Sequence, residues 1–217
     1  MRLAELVWPA GTRRAGQPIV VYGFAIRRPS GLLLMDTGVG EGNAEVDASY
    51  RPRRRSIQEA LATIGNRLPD VTDIVVSHLH FDHCGQNRLF PGVPIWVQRE
   101  EYEAARQPDY TCLEWVVFPG ATYRFLDGDV DIASDLHLLH TPGHTPGHQA
   151  LLVDTIEGSV LLAGQAAYTI AEYEGRDATD STDETYLQSL RKLRALRPRR
   201  VYLAHDDQSS DVTTARR

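Results

Sequence analysis

Short apolar runs separated by turn residues dominate the first half of the chain and predict a series of β-strands. Residues 19–26 are rich in β-branched and aromatic side chains, and a turn at 28–31 separates them from the apolar run 32–35. Two further apolar runs of strand length occupy 73–77 and 94–98. The pattern of this half therefore predicts mainly strands.

Helical patterns follow these strands. A capping-box spacing, Ser-x-x-Glu, opens a predicted helix at 56–66, and the stretch 99–106 is rich in Glu and Ala. The same spacing at 181–184 predicts the start of a later helix, whose apolar face carries Leu187, Leu190 and Leu193.

The second half repeats the alternation of strands and turns. Its predicted strands are 123–125, 130–132, 136–140, 149–153, 159–163 and 201–203. Residues 208–217 lack an apolar pattern and are expected to form a flexible tail. Strands in two blocks, each followed by a helix, indicate an α/β protein with layered sheets and helices outside them.

Composition narrows the classes of function. A length of 217 residues favours a single domain over 1–217, and a net charge of −6 argues against nucleic acid as a partner. Apolar runs such as 31–35 are far too short to cross a membrane. Since no signal-peptide pattern precedes the strands, we expect a cytoplasmic location. The two cysteines, Cys84 and Cys112, do not make a disulfide scaffold. Cys84 is expected to be a small buried residue, with an extra metal ligand or a redox-sensitive thiol as the alternatives.

The segment 78–83 reads His-Leu-His-Phe-Asp-His and places four metal-binding side chains within six residues. Folding alone gives no reason for this density of imidazole and carboxylate groups. These ligand types suit zinc and also admit iron, manganese or cobalt. The cluster therefore predicts a metal site.

Further candidate ligands follow the ends of predicted strands. The histidine cluster follows the strand at 73–77, His144 follows the strand at 136–140, Gln165 follows the strand at 159–163, and His205 follows the strand at 201–203. Metal sites commonly use loops at strand ends, where a rigid scaffold fixes the ligand geometry. We therefore expect the residues at these loops to contribute to one site.

These motifs resemble the metallo-β-lactamase fold superfamily and, within it, the N-acyl homoserine lactonases. The histidine cluster and the turn 141–144, Thr-Pro-Gly-His, carry the resemblance to the superfamily, whereas Phe81, the stretch 98–102 and Tyr168 point to the lactonases. The matching segments are 34–38, 77–85, 97–102, 141–149 and 204–206. The resemblance implies a four-layer αββα sandwich with a two-metal site along one edge.

The resemblance also implies a role for each candidate residue. The ligands of a first metal match His78, His80 and His144, and those of a second metal match Asp82, His83 and His205. Asp36 matches a group that orients a ligand loop. Tyr168 matches a tyrosine that hydrogen-bonds the substrate carbonyl.

Gln165 departs from the family pattern, because the family has an aspartate there that bridges both metals. A neutral amide oxygen coordinates a metal but does not offset the repulsion between divalent ions about 3.5–4 Å apart. We therefore expect one or two Zn²⁺ ions, with the three-histidine site occupied and the second site weaker.

The implied reaction is the opening of a lactone ring, most simply that of an N-acyl homoserine lactone, by metal-bound hydroxide. Tyr168 is expected to stabilise the oxyanion, and Asp82 is expected to carry a proton to the leaving alkoxide. The expected partner is a small-molecule lactone or ester, and a homodimer is possible by analogy with the family.

Other functions stay open at this point. A thioesterase of the hydroxyacylglutathione hydrolase type shares the 141–144 turn, and a non-catalytic metal- or ligand-binding protein would explain Gln165. A β-lactam hydrolase is possible by fold, because fold does not fix the substrate. His148 is expected to be structural or to support a ligand, and His137 and His140 to be ordinary strand residues. The basic run 51–55 predicts a solvated loop, with the mouth of a pocket as the alternative.

Overall fold

A computed structural model of the chain describes residues 1–179 and 181–211. The strands are β1 (Arg2–Val7), β2 (Pro18–Tyr22), β3 (Phe24–Arg28), β4 (Gly31–Met35), β5 (Arg53–Arg54), β6 (Val71–Val75), β7 (Pro94–Gln98), β8 (Thr122–Leu126), β9 (Val130–Ala133), β10 (Leu136–His140), β11 (Gln149–Val153), β12 (Val160–Leu162), β13 (Arg200–Tyr202) and β14 (Ser209–Asp211). The α-helices are α1 (Ala44–Tyr50), α2 (Ile57–Ala62), α3 (Phe81–Cys84), α4 (Arg99–Ala104), α5 (Leu113–Val116), α6 (Ile170–Tyr173) and α7 (Glu184–Ala195).

The chain divides into two compact units. The first comprises 1–96 and 105–124, and the second comprises 97–104 and the chain from Phe125 onward. The expectation of a single domain over 1–217 stays a prediction.

The first unit begins with a small sheet in the order β2-β1-β5. Leu6 and Val21 are buried and belong to a core cluster that also contains Trp115. The predicted strand at 19–26 is two strands, because the chain changes sheets at Gly23: β2 pairs with β1, whereas β3 pairs with β4.

A second sheet has the order β3-β4-β6-β7-β8. Strands β4, β6 and β7 are parallel neighbours, and β4 and β6 consist largely of buried apolar residues. Parallel neighbours end at the same edge of a sheet, so the residue after Met35 lies beside the residues after Val75. This pairing determines where Asp36 and the histidine cluster lie.

The second unit contains a sheet in the order β14-β13-β12-β11-β10-β9. Strands β12 and β13 are parallel, and two antiparallel steps, β10 to β11 and β11 to β12, give β10 the same direction. The carboxyl ends of β10, β12 and β13 therefore lie at one edge of this sheet. Leu190 and Leu193 of α7 are buried in the core cluster of this unit, with Leu187 packed against it, as their spacing predicts.

Three predicted helix boundaries are wrong. Helix α2 ends at Ala62 rather than at Asn66, because a turn at 61–66 with Gly65 at φ 74° follows it. Helix α4 ends at Ala104 rather than at 106. Helix α7 begins after Asp183, whose carboxylate accepts hydrogen bonds from the backbone of the first turn, and not after Ser181.

The sequence pattern did not predict several short elements, namely β1, β5, β14, α1, α3, α5 and α6. Within the expected tail, Ser209–Asp211 form a strand because their backbone pairs with β13, and residues 212–217 lie outside the described part of the chain. No helix among the described residues is long and apolar enough to cross a membrane.

Candidate metal centre

The histidine cluster of the first unit lies in the loop after β6 and in the short helix α3. His78, Asp82 and His83 are buried, and His80 is partly buried. His78 Nε2 lies 3.1 Å from His80 Nδ1, and His83 Nε2 lies 3.5 Å from an Asp82 carboxylate oxygen. The loop thus presents two pairs of facing ligand atoms.

Asp36 anchors this loop from the end of β4. It is fully buried, and its φ of 61° turns the chain sharply at the strand end. One of its carboxylate oxygens accepts the backbone N–H of Ser77 at 2.7 Å. The other lies 2.8 Å from both the Ser77 hydroxyl and His83 Nδ1. As a carboxylate accepts only, Ser77 and His83 are the donors.

This arrangement fixes the tautomers of two rings. His83 carries its proton on Nδ1, so its Nε2 keeps a lone pair. The single hydroxyl proton of Ser77 goes to Asp36, so Ser77 Oγ accepts from His78 Nδ1 at 3.1 Å, and His78 Nε2 also keeps a lone pair. A carboxylate behind the far ring nitrogen is the usual support of a metal-bound histidine.

The donor set fits a transition metal. The 3.1 Å between His78 Nε2 and His80 Nδ1 is close to the roughly 3.3 Å expected between two nitrogens of a tetrahedral zinc site. Imidazole and carboxylate groups with their lone pairs turned toward one another imply a divalent metal ion.

Aromatic rings flank the cluster in the first unit. The Tyr110 ring centroid lies 4.9 Å from that of His80, and the Tyr50 ring lies 4.5 Å from that of Phe81. Cys84 is fully buried, and burial raises the pKa of its thiol well above the usual range. It is a small core residue, as predicted.

The second unit presents His144, Gln165, Tyr168 and His205 at the edge where β10, β12 and β13 end. Hydrogen bonds from Ala163 to Tyr202 and from Ala204 to Gly164 continue the pairing of β12 and β13 beyond both strands. This continuation places His205 Nε2 3.0 Å from the amide oxygen of Gln165.

Tyr168 is in contact with two of the predicted ligands of this unit. Its ring stacks on His205 at a centroid distance of 5.7 Å and meets the His144 ring edge-on at 6.3 Å. The structure therefore brings these three predicted residues together within the second unit.

His148 is buried and holds the loop that carries His144. Its Nε2 accepts the backbone N–H of Gln165 at 3.0 Å, so its proton is on Nδ1. Nδ1 lies 2.8 Å from the Thr141 hydroxyl and 3.1 Å from the Thr141 carbonyl. His148 thus connects the turn before His144 to the backbone of Gln165, which agrees with the predicted structural role.

Two buried glutamates were missed by sequence reasoning. Glu101 accepts hydrogen bonds from the Thr145 hydroxyl at 2.7 Å and from the Gly147 backbone at 3.2 Å. Glu172 accepts from the Tyr168 backbone at 2.8 Å and from the Tyr186 hydroxyl at 2.8 Å. Their only sequence signal is an acidic residue in a short helix, and that signal is common.

The remaining histidines lie on the sheet of the second unit. His137 Nδ1 lies 2.6 Å from Asp131 and its Nε2 lies 3.3 Å from Asp154, on the strands and loops beside it. His140 donates to the Pro146 carbonyl at 3.0 Å. Both are strand residues, as predicted.

The chain matches the family model described as the metallo-β-lactamase superfamily over residues 16–205. An N-acyl homoserine lactonase of a Bacillus species is 38% identical over 167 residues, which are 71% of this chain and 66% of that protein. The N-acyl homoserine lactonase AttM of Azorhizobium caulinodans is 34% identical over 180 residues, covering 72% of this chain and 68% of AttM. The chain thus spans about two thirds of the length of these relatives.

Solved structures agree with the sequence relatives. An N-acyl homoserine lactone hydrolase with the product N-hexanoyl-L-homoserine at its catalytic metal centre superposes with a TM-score of 0.80 at 29% identity, covering 95% of this chain and 91% of that one. A variant of Bacillus thuringiensis AiiA with N-decanoyl-L-homoserine bound gives a TM-score of 0.80 at 28% identity, with the same coverage. The chain therefore has the metallo-β-lactamase fold, and it belongs to the metallo-β-lactamase superfamily and, within it, to the N-acyl homoserine lactonases.

Proposed function

We propose that this protein is a metal-dependent hydrolase that opens the lactone ring of N-acyl homoserine lactones and thereby quenches their signal. Relatives named as N-acyl homoserine lactonases and neighbours with an N-acyl homoserine product bound support the substrate class. The donor set of the histidine cluster supports the metal.

The proposed metal is zinc, bound as one or two ions. His78, His80 and His144 are the proposed ligands of the first ion, and Asp82, His83 and His205 are those of the second, with Gln165 at the bridging position. The second ion is bound more weakly. In support, the Gln165 amide carries no charge to offset two cations, and its oxygen lies 3.0 Å from His205 Nε2.

A bound divalent ion supplies Lewis acidity and lowers the pKa of a coordinated water to about 7. The residues of this chain do the rest. The Tyr168 hydroxyl donates a hydrogen bond to the substrate carbonyl oxygen and stabilises the negative charge that develops there. Asp82 takes the proton of the attacking water and passes it to the ring oxygen when the ester C–O bond breaks. Asp36 holds His83 in the tautomer that turns a lone pair toward Asp82.

The observation that carries the proposal is the pair of locked tautomers at His78 and His83. The Nδ1–H of each ring donates a hydrogen bond to a buried protein oxygen, and the Nε2 of each ring faces another ligand atom. Histidines that only stabilise the fold have no need of this common orientation, whereas metal ligands require it.

The test is proton release from N-hexanoyl-L-homoserine lactone, followed with zinc-loaded protein and with chelator-treated protein side by side. We expect hydrolysis that depends on the metal and is restored when zinc is added back. Tyr168→Phe is expected to lower kcat about tenfold or more without loss of bound zinc, because it removes only the donor to the oxyanion.

A second set of substrates decides between the alternatives. If zinc is bound but the lactone is not opened, hydrolysis of a glutathione thioester would support the thioesterase, which shares the Thr-Pro-Gly-His turn at 141–144. Failure of both substrates would support a non-catalytic protein of this fold. A homodimeric state and a cytoplasmic location stay predictions.

A further inference from the structure

A cavity of about 230 Å³ lies in the first unit, and its lining includes Arg54, Arg55 and Arg88 beside a single carboxylate, that of Glu41. It contains none of the proposed metal ligands. Its floor is backbone, because Gly40 and Gly85 approach so closely that a Cβ on Gly85 would lie 1.9 Å from the Gly40 nitrogen. The cavity is thus a defined space with a strongly positive lining.

The three arginines differ in their hydrogen-bond and ion-pair partners. Arg54 donates to the Gly40 carbonyl at 2.6 Å and forms an ion pair with Asp47. Arg55 donates to the Thr63 hydroxyl at 3.3 Å, and Arg88 donates to the Glu41 carbonyl at 3.0 Å. Neither Arg55 nor Arg88 forms an ion pair with a carboxylate within the described part of the chain.

Several other arginines of the chain do have a carboxylate counterion. Arg53, the direct neighbour of Arg54, pairs with Glu5, and Arg99 and Arg191 pair with Asp127 and Glu184. Two guanidinium groups at one cavity repel each other unless an anion lies between them. Each guanidinium has five N–H donors, and the bonds to described residues use only one of Arg55 and one of Arg88.

We propose that this cavity is a binding site for a phosphate group, either inorganic phosphate or a small phosphate monoester. A tetrahedral dianion accepts hydrogen bonds from several guanidinium groups at different angles, which suits a lining to which separate segments contribute arginines. The volume of 230 Å³ lies below the roughly 300–1,000 Å³ of pockets for drug-sized ligands, so the organic part is small.

The positioning of these arginines favours a preformed site. The Gln86 side chain accepts the backbone N–H of Ile57 at 2.7 Å and donates to the Arg55 carbonyl at 3.3 Å, so it ties the loop of Arg88 to that of Arg55. Arg54 fixes the Gly40 backbone on the other side. The basic run at 51–55 therefore contributes Arg54 and Arg55 to this cavity.

The test is titration calorimetry of zinc-loaded protein with inorganic phosphate and, separately, with glycerol phosphate, above about pH 7, where a phosphate monoester carries nearly two charges. Arg55→Gln and Arg88→Gln each remove one donor group and are expected to weaken binding about tenfold. Arg54 is left unchanged, because it also supports the fold. The matched control is Arg53→Gln, which removes the same charge from an arginine outside the cavity.

The outcomes separate the proposal from simpler explanations. Loss of binding in Arg55→Gln and Arg88→Gln but not in Arg53→Gln supports the site, and tighter binding of glycerol phosphate identifies the monoester as the ligand. Equal weakening in Arg53→Gln would overturn the proposal, because it would show a diffuse positive field. Full binding in a variant that carries both Arg55→Gln and Arg88→Gln would overturn it too, since phosphate would then bind elsewhere, at the metal centre for example. Unchanged lactone hydrolysis and melting temperature confirm that each variant is folded.

Discussion

The ligand loops of the two units are held in different ways. In the first unit, the ring nitrogens themselves are bonded: Asp36 and Ser77 accept the Nδ1 protons of His83 and His78. In the second unit, Glu172 accepts a hydrogen bond from the Tyr168 backbone, and His148 accepts one from the Gln165 backbone.

This difference has a physical consequence. Bonds to a ring nitrogen fix the tautomer and orientation of a ligand, so they control metal affinity directly. Bonds to the backbone fix the position of a loop and leave the side chain to adapt. We therefore expect substitutions of the anchoring residues in the first unit to act mainly on metal binding, and substitutions of the anchoring residues in the second unit to act mainly on turnover and stability.

The largest expected effect is that of Asp36→Asn. Both carboxylate oxygens of Asp36 accept hydrogen bonds, three in all, from Ser77 and His83. In asparagine one of these oxygens becomes an amide nitrogen, which does not accept, so at least one donor loses its partner. Zinc affinity should fall roughly 10–100-fold, as is typical when the support of a ligand is removed. Zinc content after dialysis against a weak chelator measures this.

Asp73→Asn is the matched control for Asp36→Asn. Asp73 lies on β6, and its carboxylate accepts a hydrogen bond from the Trp96 indole at 3.0 Å. It should retain zinc as the unaltered protein does. Equal zinc loss in both variants would contradict the role assigned to Asp36.

Gln165→Asp tests the effect of a negative charge at the proposed bridging position. A carboxylate at this position adds the negative charge that offsets repulsion between two cations, so the second zinc ion should bind about tenfold more tightly or better. Metal titration with elemental analysis checks this. Gln165→Asn, which stays neutral, should give no gain. Two tightly held zinc ions in the chelator-washed, unaltered protein would refute the assignment of a weak second site.

Glu172→Gln acts on the backbone anchor of the second unit. One of its two bonds, to the Tyr168 N–H or to the Tyr186 hydroxyl, then faces an amide N–H donor. Leaving a buried donor unsatisfied costs about 1–3 kcal/mol, so the free energy of unfolding should fall by that amount. Urea unfolding measures the loss, and kcat for the lactone should fall several-fold while zinc content is retained.

Tyr186→Phe separates the two bonds of Glu172. It removes the hydroxyl donor and leaves the Tyr168 backbone bond in place. Its kcat should stay near that of the unaltered protein. A fall in kcat equal to that of Glu172→Gln would show that Glu172 does not act through Tyr168.

The two units also differ in how visible their candidate ligands are in the sequence. The cluster at 78–83 is visible because its ligands are adjacent in the chain. His144 and His205 follow strand ends in the sequence, and the parallel direction of β10, β12 and β13 places the ends of these strands at one edge of the sheet.

The supporting residues were harder to predict. Glu101 and Glu172 look like ordinary acidic residues of helices, and only the fold shows that both are buried against loop backbones. Helix α3 was hidden within the histidine cluster, because ligand residues do not follow an apolar period. The sequence pattern places the N-cap of helix α7 at Ser181, whereas the structure has it at Asp183. Ser and Asp are both good N-caps, and the local sequence does not choose between them.

His137 gives the smallest expected effect and is not one of the proposed metal ligands. Hydrogen bonding to Asp131, and more weakly to Asp154, raises its pKa above the ordinary value of 6.5. A raised pKa in the folded state means that the ion pair adds stability below the unfolded pKa, and that this stability is lost as pH rises through the folded pKa. Since the partners are exposed, the contribution is about 0.2–1 kcal/mol.

The measurement is urea unfolding of the unaltered protein and of His137→Gln across the range from about pH 5.5 to pH 8.5. The stability difference between them should be largest at the acid end and should vanish at the alkaline end. Asp131→Asn should remove most of the same pH dependence, because Asp131 is the larger cause of the raised pKa of His137. A difference that grows with pH would have the wrong sign for a stabilised imidazolium. Such a result would mean that packing on the sheet, rather than charge, determines what His137 contributes.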